Sequence, residues 1–341
     1  MLKLLQSLAP FILLVLLNTC TNLPGKSDKN YMSIRGLTQG TTYSIKYNSP
    51  DSTNYHPQIQ RILEAIDSSM STYRENSIIS RINRNDPSVK VDEYFSGVYQ
   101  TAQKVSSMTD GAFDITVAPL VNAWGFGFTE KKELDDTRVD SLLEFVGYET
   151  IRLEDGRIYK KDERTMIDMN AVAKGYTVDE VSEFLENEGV SDYMVEIGGE
   201  VRTRGKNPDG VYWRIGIDKP IDSSNATTRE LQAIVSLKNQ AVATSGSYRQ
   251  FYIEDGVKYS HTINPKTGYP VEHNLLSVSV FAEECGFADA LATAFMVMGR
   301  EKSKRLLENH SSVGAYFIYS DEEGDYKVEW TENVKDLIKN L

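Results

Sequence analysis

The sequence predicts an α+β fold of mixed, largely antiparallel sheets with packed helices. Three observations lead there. IRLEDGRIYK and FYIEDGVKYS each place Asp-Gly (Asp155-Gly156, Asp255-Gly256) between β-prone runs, a strong hairpin signal and hence a sign of antiparallel pairing. Several stretches carry apolar residues at helical spacing. The helices and strands interleave without the strand–helix–strand rhythm of a parallel sheet.

The elements follow in chain order. Residues 1–20 have one early cation, Lys3, then an apolar run from Leu8 to Leu17, too short to span a bilayer comfortably and shaped like a signal-peptide core. The run ends in Leu17-Asn18-Thr19-Cys20, which resembles a bacterial lipobox, so Cys20 is the expected lipidation site and mature N-terminus. Residues 21–30, polar and rich in breakers, read as a flexible tether. Residues 31–341 read as one catalytic unit without an internal linker. Within it, Ile59, Ile62, Leu63 and Ile66 form a helical stripe after Pro57, and Phe95, Val98, Tyr99, Ala102 and Val105 form a second before Gly111. A third helix is expected over residues 172–188, with Val178, Val181 and Leu185 inside and Gly189 as its stop. A fourth is expected over 286–298. WRIGID, LQAIVSL, SVSVF and VGAYFIY read as strands.

Composition narrows the function. Forty-nine acidic residues against thirty-seven Lys and Arg give a formal charge of −12, which argues against a nucleic-acid partner. An anionic ligand then needs local positive charge or a metal. With Cys20 lipidated, only Cys285 is left, so no intramolecular disulfide forms and the fold stands on its core. HExxH, Walker, GxSxG and CxxC patterns are missing, which removes the commonest hydrolase, NTPase and redox readings.

Five constellations remain. In CGFADALATAF, Asp289 and Thr293 are one helical turn apart and share a face, and their oxygens suit a hard cation such as Mg2+. In DMNAVAKGY, Asp168 ends a strand and Asn170-Ala171 turns into a helix. The free N–H groups of that helix start, with Lys174, suit a phosphate. In VEIGGEVRTRG, Gly198-Gly199 signals either close backbone approach or a turn. AVATSGSYRQ and YSHTINPKTGYP supply a hydroxyl-rich loop and His261, a candidate general base. Tyr73, Phe113, Trp124 and Phe126, with the Asp114 carboxylate, offer flat surfaces for a purine or isoalloxazine ring.

In this order, LTQGTTYSIKY, STYRENSIISRIN, GAFDITVAPLVNAWGFG, DMNAVAKGYTVDEV, VEIGGEVRTRG, VATSGSYRQ, SHTINPKTGYP and ADALATAFMVMG resemble the sequence blocks of the ApbE family of flavin transferases, over about residues 32–335. The resemblance implies a T-fold-related catalytic domain that moves the FMN half of FAD onto a Thr or Ser hydroxyl of a target protein and releases AMP. It implies Mg2+ held by Asp289, Thr293 and the main-chain carbonyl of Ala171. Gln39, Tyr73, Ala112, Phe113, Asp114, Asp168, Lys174 and Ile263 would line the FAD site, and His261 matches the family histidine proposed for proton transfer. Gln39 stands where many members have Met, and Ala292 where some carry a further carboxylate. Flavin-carrying subunits of Rnf- or Nqr-type electron-transport complexes are the implied acceptors. The implied location is the bacterial cell envelope, with the protein lipid-anchored to a membrane and facing the periplasm.

Overall fold

The structure is a computed structural model, and it describes residues 30–127, 134–221, 230–247, 251–254 and 257–340. The leader, Cys20, nearly all of the expected tether and the Asp255-Gly256 turn lie outside the described residues. No helix among the described residues is long and apolar enough to cross a membrane.

An eight-stranded antiparallel sheet organises the molecule. Its strands are Tyr31–Thr38, Thr41–Asn48, Tyr193–Ile197, Glu200–Arg204, Ala241–Gly246, Leu275–Ala282, Gly314–Ser320 and Tyr326–Trp330. They lie side by side in chain order, each antiparallel to the next. Period-two alternation decides which layer each side chain joins. Val278, Val280, Ala315 and Phe317 face the helices, whereas Val242, Phe281, Tyr316 and Ile318 face a smaller sheet of Trp213–Asp218, Leu231–Leu237 and Ile338–Asn340. The later strands of the large sheet are therefore covered on both faces.

Between its second and third strands the chain makes one long excursion, residues 49–192, which carries the helices His56–Met70, Glu93–Met108 and Ala173–Asn187. It leaves and returns at one place: the Asn48 N–H donates to the Asp192 carbonyl at 2.8 Å. The expected stripes face inward, with Ile59, Leu63 and Ile66, then Phe95, Val98, Tyr99, Ala102 and Val105, then Val178, Val181 and Leu185 all buried. Pro57 sits at the start of the first helix. The Asp92 side chain caps the second, accepting the Phe95 N–H at 2.8 Å. Gly189, at φ 80°, closes the third. The helix Cys285–Met298 is buried almost all round, as its small apolar residues require, and it packs on two of these helices and on the sheet.

Two expectations need correction. Asp168 does not end a strand: residues 165–169 belong to no helix or strand, and the Asp168 N–H donates to the Ile115 carbonyl at 2.8 Å. The partner strand is replaced by a side chain, because the Asn83 amide accepts from Ile167 N and donates to Ile167 O, both at 2.8 Å. Thr244 and Ser245 belong to the strand Ala241–Gly246 rather than to a loop after it.

Candidate active site

Two helices meet at the floor of the site because neither has side chains where they cross. A Cβ on Gly175 would lie 2.5 Å from the Cys285 carbonyl oxygen, and one on Gly286 would lie 3.0 Å from Tyr176 N. At this crossing the Gly175 N–H donates to Asp289 Oδ2 at 3.1 Å. Gly175 is in the first turn of the helix Ala173–Asn187, where N–H groups lack an acceptor within the helix, and Asp289 supplies one. A second tie holds the same pair of helices. Asp179 accepts the Cys285 N–H at 2.9 Å and the Gly286 N–H at 2.8 Å, capping the buried helix from outside, and it pairs with Arg202 Nη1 at 2.7 Å.

These contacts aim Asp289 and Thr293 into a cavity of about 880 Å³. Lys174 stands over them, its Nζ 3.1 Å from Glu200 Oε1 and 3.9 Å from Asp289 Oδ2. Burial drives the Glu200 and Asp289 carboxyls above their ordinary range, and Lys174 offsets part of that. Burial pulls the Lys174 ammonium down, but Asp289 and Glu200 outweigh it and raise it above its ordinary value. Thr293 Oγ1 shares a 3.2 Å hydrogen bond with Ser245 Oγ. No group of three His, Cys, Asp or Glu side chains able to hold a metal occurs among the described residues. Asp289, Thr293 and Ala171 line one cavity, and a carboxylate, a hydroxyl and a main-chain carbonyl are the oxygen types that could hold a hard cation such as Mg2+.

Of the other residues expected at the site, Gln39, Tyr73, Ala112, Phe113, Asp114, Asp168, Lys174, His261 and Ile263 line the same cavity. Gln39 enters from the hairpin turn Gln39-Gly40, at φ 48° and 71°, and its Nε2 donates to Thr177 Oγ1 at 2.6 Å. Tyr73 lines the cavity and is 80% exposed. His261 lies edge-on to Phe126, ring centroids 6.4 Å apart. Asp168 is held by Asn170, whose N–H reaches Oδ1 at 2.7 Å and whose Nδ2 reaches Oδ2 at 3.2 Å. Burial pushes Asp168 upward despite these bonds.

Some of the reading changes. Trp124 is not part of the cavity wall; it packs on Tyr269 behind it and donates its indole N–H to the Gly268 carbonyl at 2.8 Å. Asp114 spends both oxygens on local backbone. Oδ1 accepts Thr116 N at 2.7 Å and Oδ2 accepts Tyr148 N at 2.7 Å, so it shapes the wall as well as facing the cavity. Gly198-Gly199 is a two-residue hairpin turn, and it is also a close approach: a Cβ on Gly198 would lie 2.9 Å from Thr41 Cγ2 and 3.2 Å from Lys174 Cδ. Glu200 and the Asp179–Arg202 pair are absent from the sequence reading. Glu200 follows directly on the glycine pair, but nothing local says that its side chain is buried.

The chain also resembles known proteins. The profile of the ApbE family matches residues 39–317. A Vibrio cholerae protein named FAD:protein FMN transferase is 40% identical over 283 residues, 81% of this chain and 84% of its own length. An Escherichia coli K12 protein of the same name is 35% identical, covering 90% of this chain and 89% of its own. Among solved structures, the flavin transferase ApbE from Vibrio cholerae superposes with a TM-score of 0.80 at 36% identity, covering 91% of this chain and 99% of that one. The apo flavinyl transferase ApbE from Pseudomonas stutzeri gives 0.79 at 32%, covering 91% and 97%. With a family match across most of its length and relatives of this identity and coverage, the chain belongs to the ApbE family.

Proposed function

We propose that this protein transfers the FMN moiety of FAD to a Thr or Ser hydroxyl of a target protein, with release of AMP and dependence on Mg2+. The observation that carries the reading is the convergence of Asp289, Thr293, Ala171, Lys174 and His261, from separate stretches of chain, on one cavity large enough for much of a dinucleotide. The relatives' name supplies the flavin and the protein acceptor.

The residues divide the work. Tyr73, Phe113 and Phe126 offer ring faces. The helix start at Ala173 and the Lys174 ammonium attract the diphosphate into an otherwise acidic protein. Bound Mg2+ would neutralise diphosphate charge and polarise the phosphorus under attack. His261 accepts the proton of the acceptor hydroxyl as its oxygen bonds to the FMN phosphorus. The bridging P–O bond breaks, and AMP departs with that oxygen and its electron pair. Positioning and charge stabilisation supply the rest.

Flavin-carrying subunits of Rnf- or Nqr-type complexes are the proposed acceptors, and lipidation at Cys20 the proposed link to the envelope membrane on its periplasmic side. The deciding assay combines FAD, MgCl2 and a candidate acceptor domain, read by intact mass and nucleotide chromatography. Acceptor that gains FMN mass with matching AMP supports the transferase. Free FMN and AMP without acceptor would make it a hydrolase instead, and no FAD cleavage with Mg2+ present would refute both.

A further inference from the structure

Glu200 stands out as a charged group that the site holds but the reading above does not use. It flanks the Gly198-Gly199 turn on the strand Glu200–Arg204, and its side chain is 6% exposed. Oε1 is 3.1 Å from Lys174 Nζ. Oε2 is buried and has no hydrogen-bond partner among the described residues. A carboxylate oxygen in that state costs several kcal/mol of lost hydration unless something donates to it, roughly 1–3 kcal/mol even for a neutral group. Protonation would not remove the deficit, because the new O–H would then lack an acceptor. Glu200 also lines the cavity, and a small shift of its carboxylate would open Oε2 to a partner there.

Position narrows what the partner is. Lys174 bridges Glu200 Oε1 to Asp289, so the Glu200 carboxylate is one ammonium away from Asp289, in the cavity that Thr293 and Ala171 also line. Asp289, Thr293 and the Ala171 carbonyl would supply three oxygens, fewer than the six of an octahedral cation, and Mg2+ characteristically keeps several of its waters. A water polarised by a cation is a strong donor, and carboxylates that accept from such waters orient them and tune affinity. We propose that Glu200 is a positioning residue of the cation site: Oε1 fixes Lys174, and Oε2 accepts a hydrogen bond from a water in the hydration shell of the cation. Its negative charge favours the cation, and the Lys174 charge opposes it. This rests on the Mg2+ reading of the site and adds a residue to it.

The test needs neither FAD nor turnover. Mn2+ is titrated into the purified protein and followed by electron paramagnetic resonance, with Tm measured in parallel. Glu200→Gln keeps the shape and removes the charge, and should weaken Mn2+ binding about tenfold or more. Lys174→Met should change affinity in the opposite direction, an outcome that general damage to the fold would not produce. If Glu200→Gln lowers Tm sharply, Glu200→Asp decides: recovery of Mn2+ affinity over Gln supports the proposal, and equal loss in both overturns it. Glu200→Gln with wild-type affinity also overturns it. A wild-type protein that binds no Mn2+ would instead remove the cation reading itself.

Discussion

Gly175→Ala tests the idea that two bare backbones set the geometry of the site. The added methyl would lie 2.5 Å from the Cys285 carbonyl oxygen, 2.7 Å from its carbon and 2.8 Å from Asp289 Cβ. Ordinary contact begins near 3.4 Å, so the helices must separate by about 0.9 Å. Overpacking of this kind costs about 1–3 kcal/mol, offset by up to about 1 kcal/mol of better helix propensity. The net loss of about 0–2 kcal/mol corresponds, for a chain of 341 residues, to a Tm drop of up to about 3 °C. The larger effect falls on function. Separation stretches the 3.1 Å bond from Gly175 N to Asp289 Oδ2 and moves Asp289 away from Lys174 and Ala171. Misplacement by about 1 Å costs on the order of 100-fold in rate. The assay pairs thermal unfolding with Mn2+ titration and AMP release. Gly97→Ala is the control, since its Cβ would meet the ring and hydroxyl of Tyr176, a side chain that can turn aside. It should lower Tm and leave Mn2+ affinity unchanged. Wild-type Mn2+ affinity and turnover in Gly175→Ala, or equal losses in Gly97→Ala, would refute the argument.

Asp179 gives a pH test. Burial raises its carboxyl to about 6 in the fold against 3.8 in the unfolded chain. Its favourable contribution is therefore fully present below about pH 4 and lost as pH rises through 6, a swing of at most about 3 kcal/mol. Thermal unfolding between pH 4 and 7 should show a flatter profile for Asp179→Asn than for wild type; parallel profiles would contradict the shift. His261→Ala should slow acceptor flavinylation by roughly 100- to 10,000-fold while FAD binding stays within about threefold, and calorimetric titration of FAD against single-turnover rates separates the two. Asp289→Ala should abolish Mg2+-dependent AMP release, about 1,000-fold or more, because it removes the one charged oxygen of the proposed donor set. Activity that survives EDTA and this substitution alike would defeat the assignment.

Much of this was legible in the sequence because the relevant signals are local. Stripes such as Phe95-Val98-Tyr99-Ala102 repeat at the helical period, and Asp155-Gly156 takes the left-handed turn that its residue types favour, at φ 50° and 71°. Asp289 and Thr293 share a face by helix geometry alone. What stayed hidden depends on distant chain. Residues 165–169 look like a strand, but their partner is the Asn83 side chain, which no periodicity announces. Asp179 sits on a helix whose stripe explains Val178 and Val181; that it faces inward follows only from Arg202 and from the amides of Cys285 and Gly286. Glu200 reads as a polar strand end after a glycine turn until Lys174, twenty-six residues earlier, is brought beside it. Trp124 shows the opposite error, an aromatic beside the right motif whose ring serves the packing behind the wall.

The narrow neck at Asn48 and Asp192 has a consequence for how such a molecule can change. Strand register is set outside the excursion, so its loops can lengthen or mutate without shifting the pairing of the sheet. Tyr73, Ala112, Phe113 and Lys174 come from the excursion, whereas Glu200, His261, Asp289 and Thr293 come from the frame. Ligand-facing surface can thereby diversify on one side of the seam while His261, Asp289 and Thr293 are inherited intact on the other.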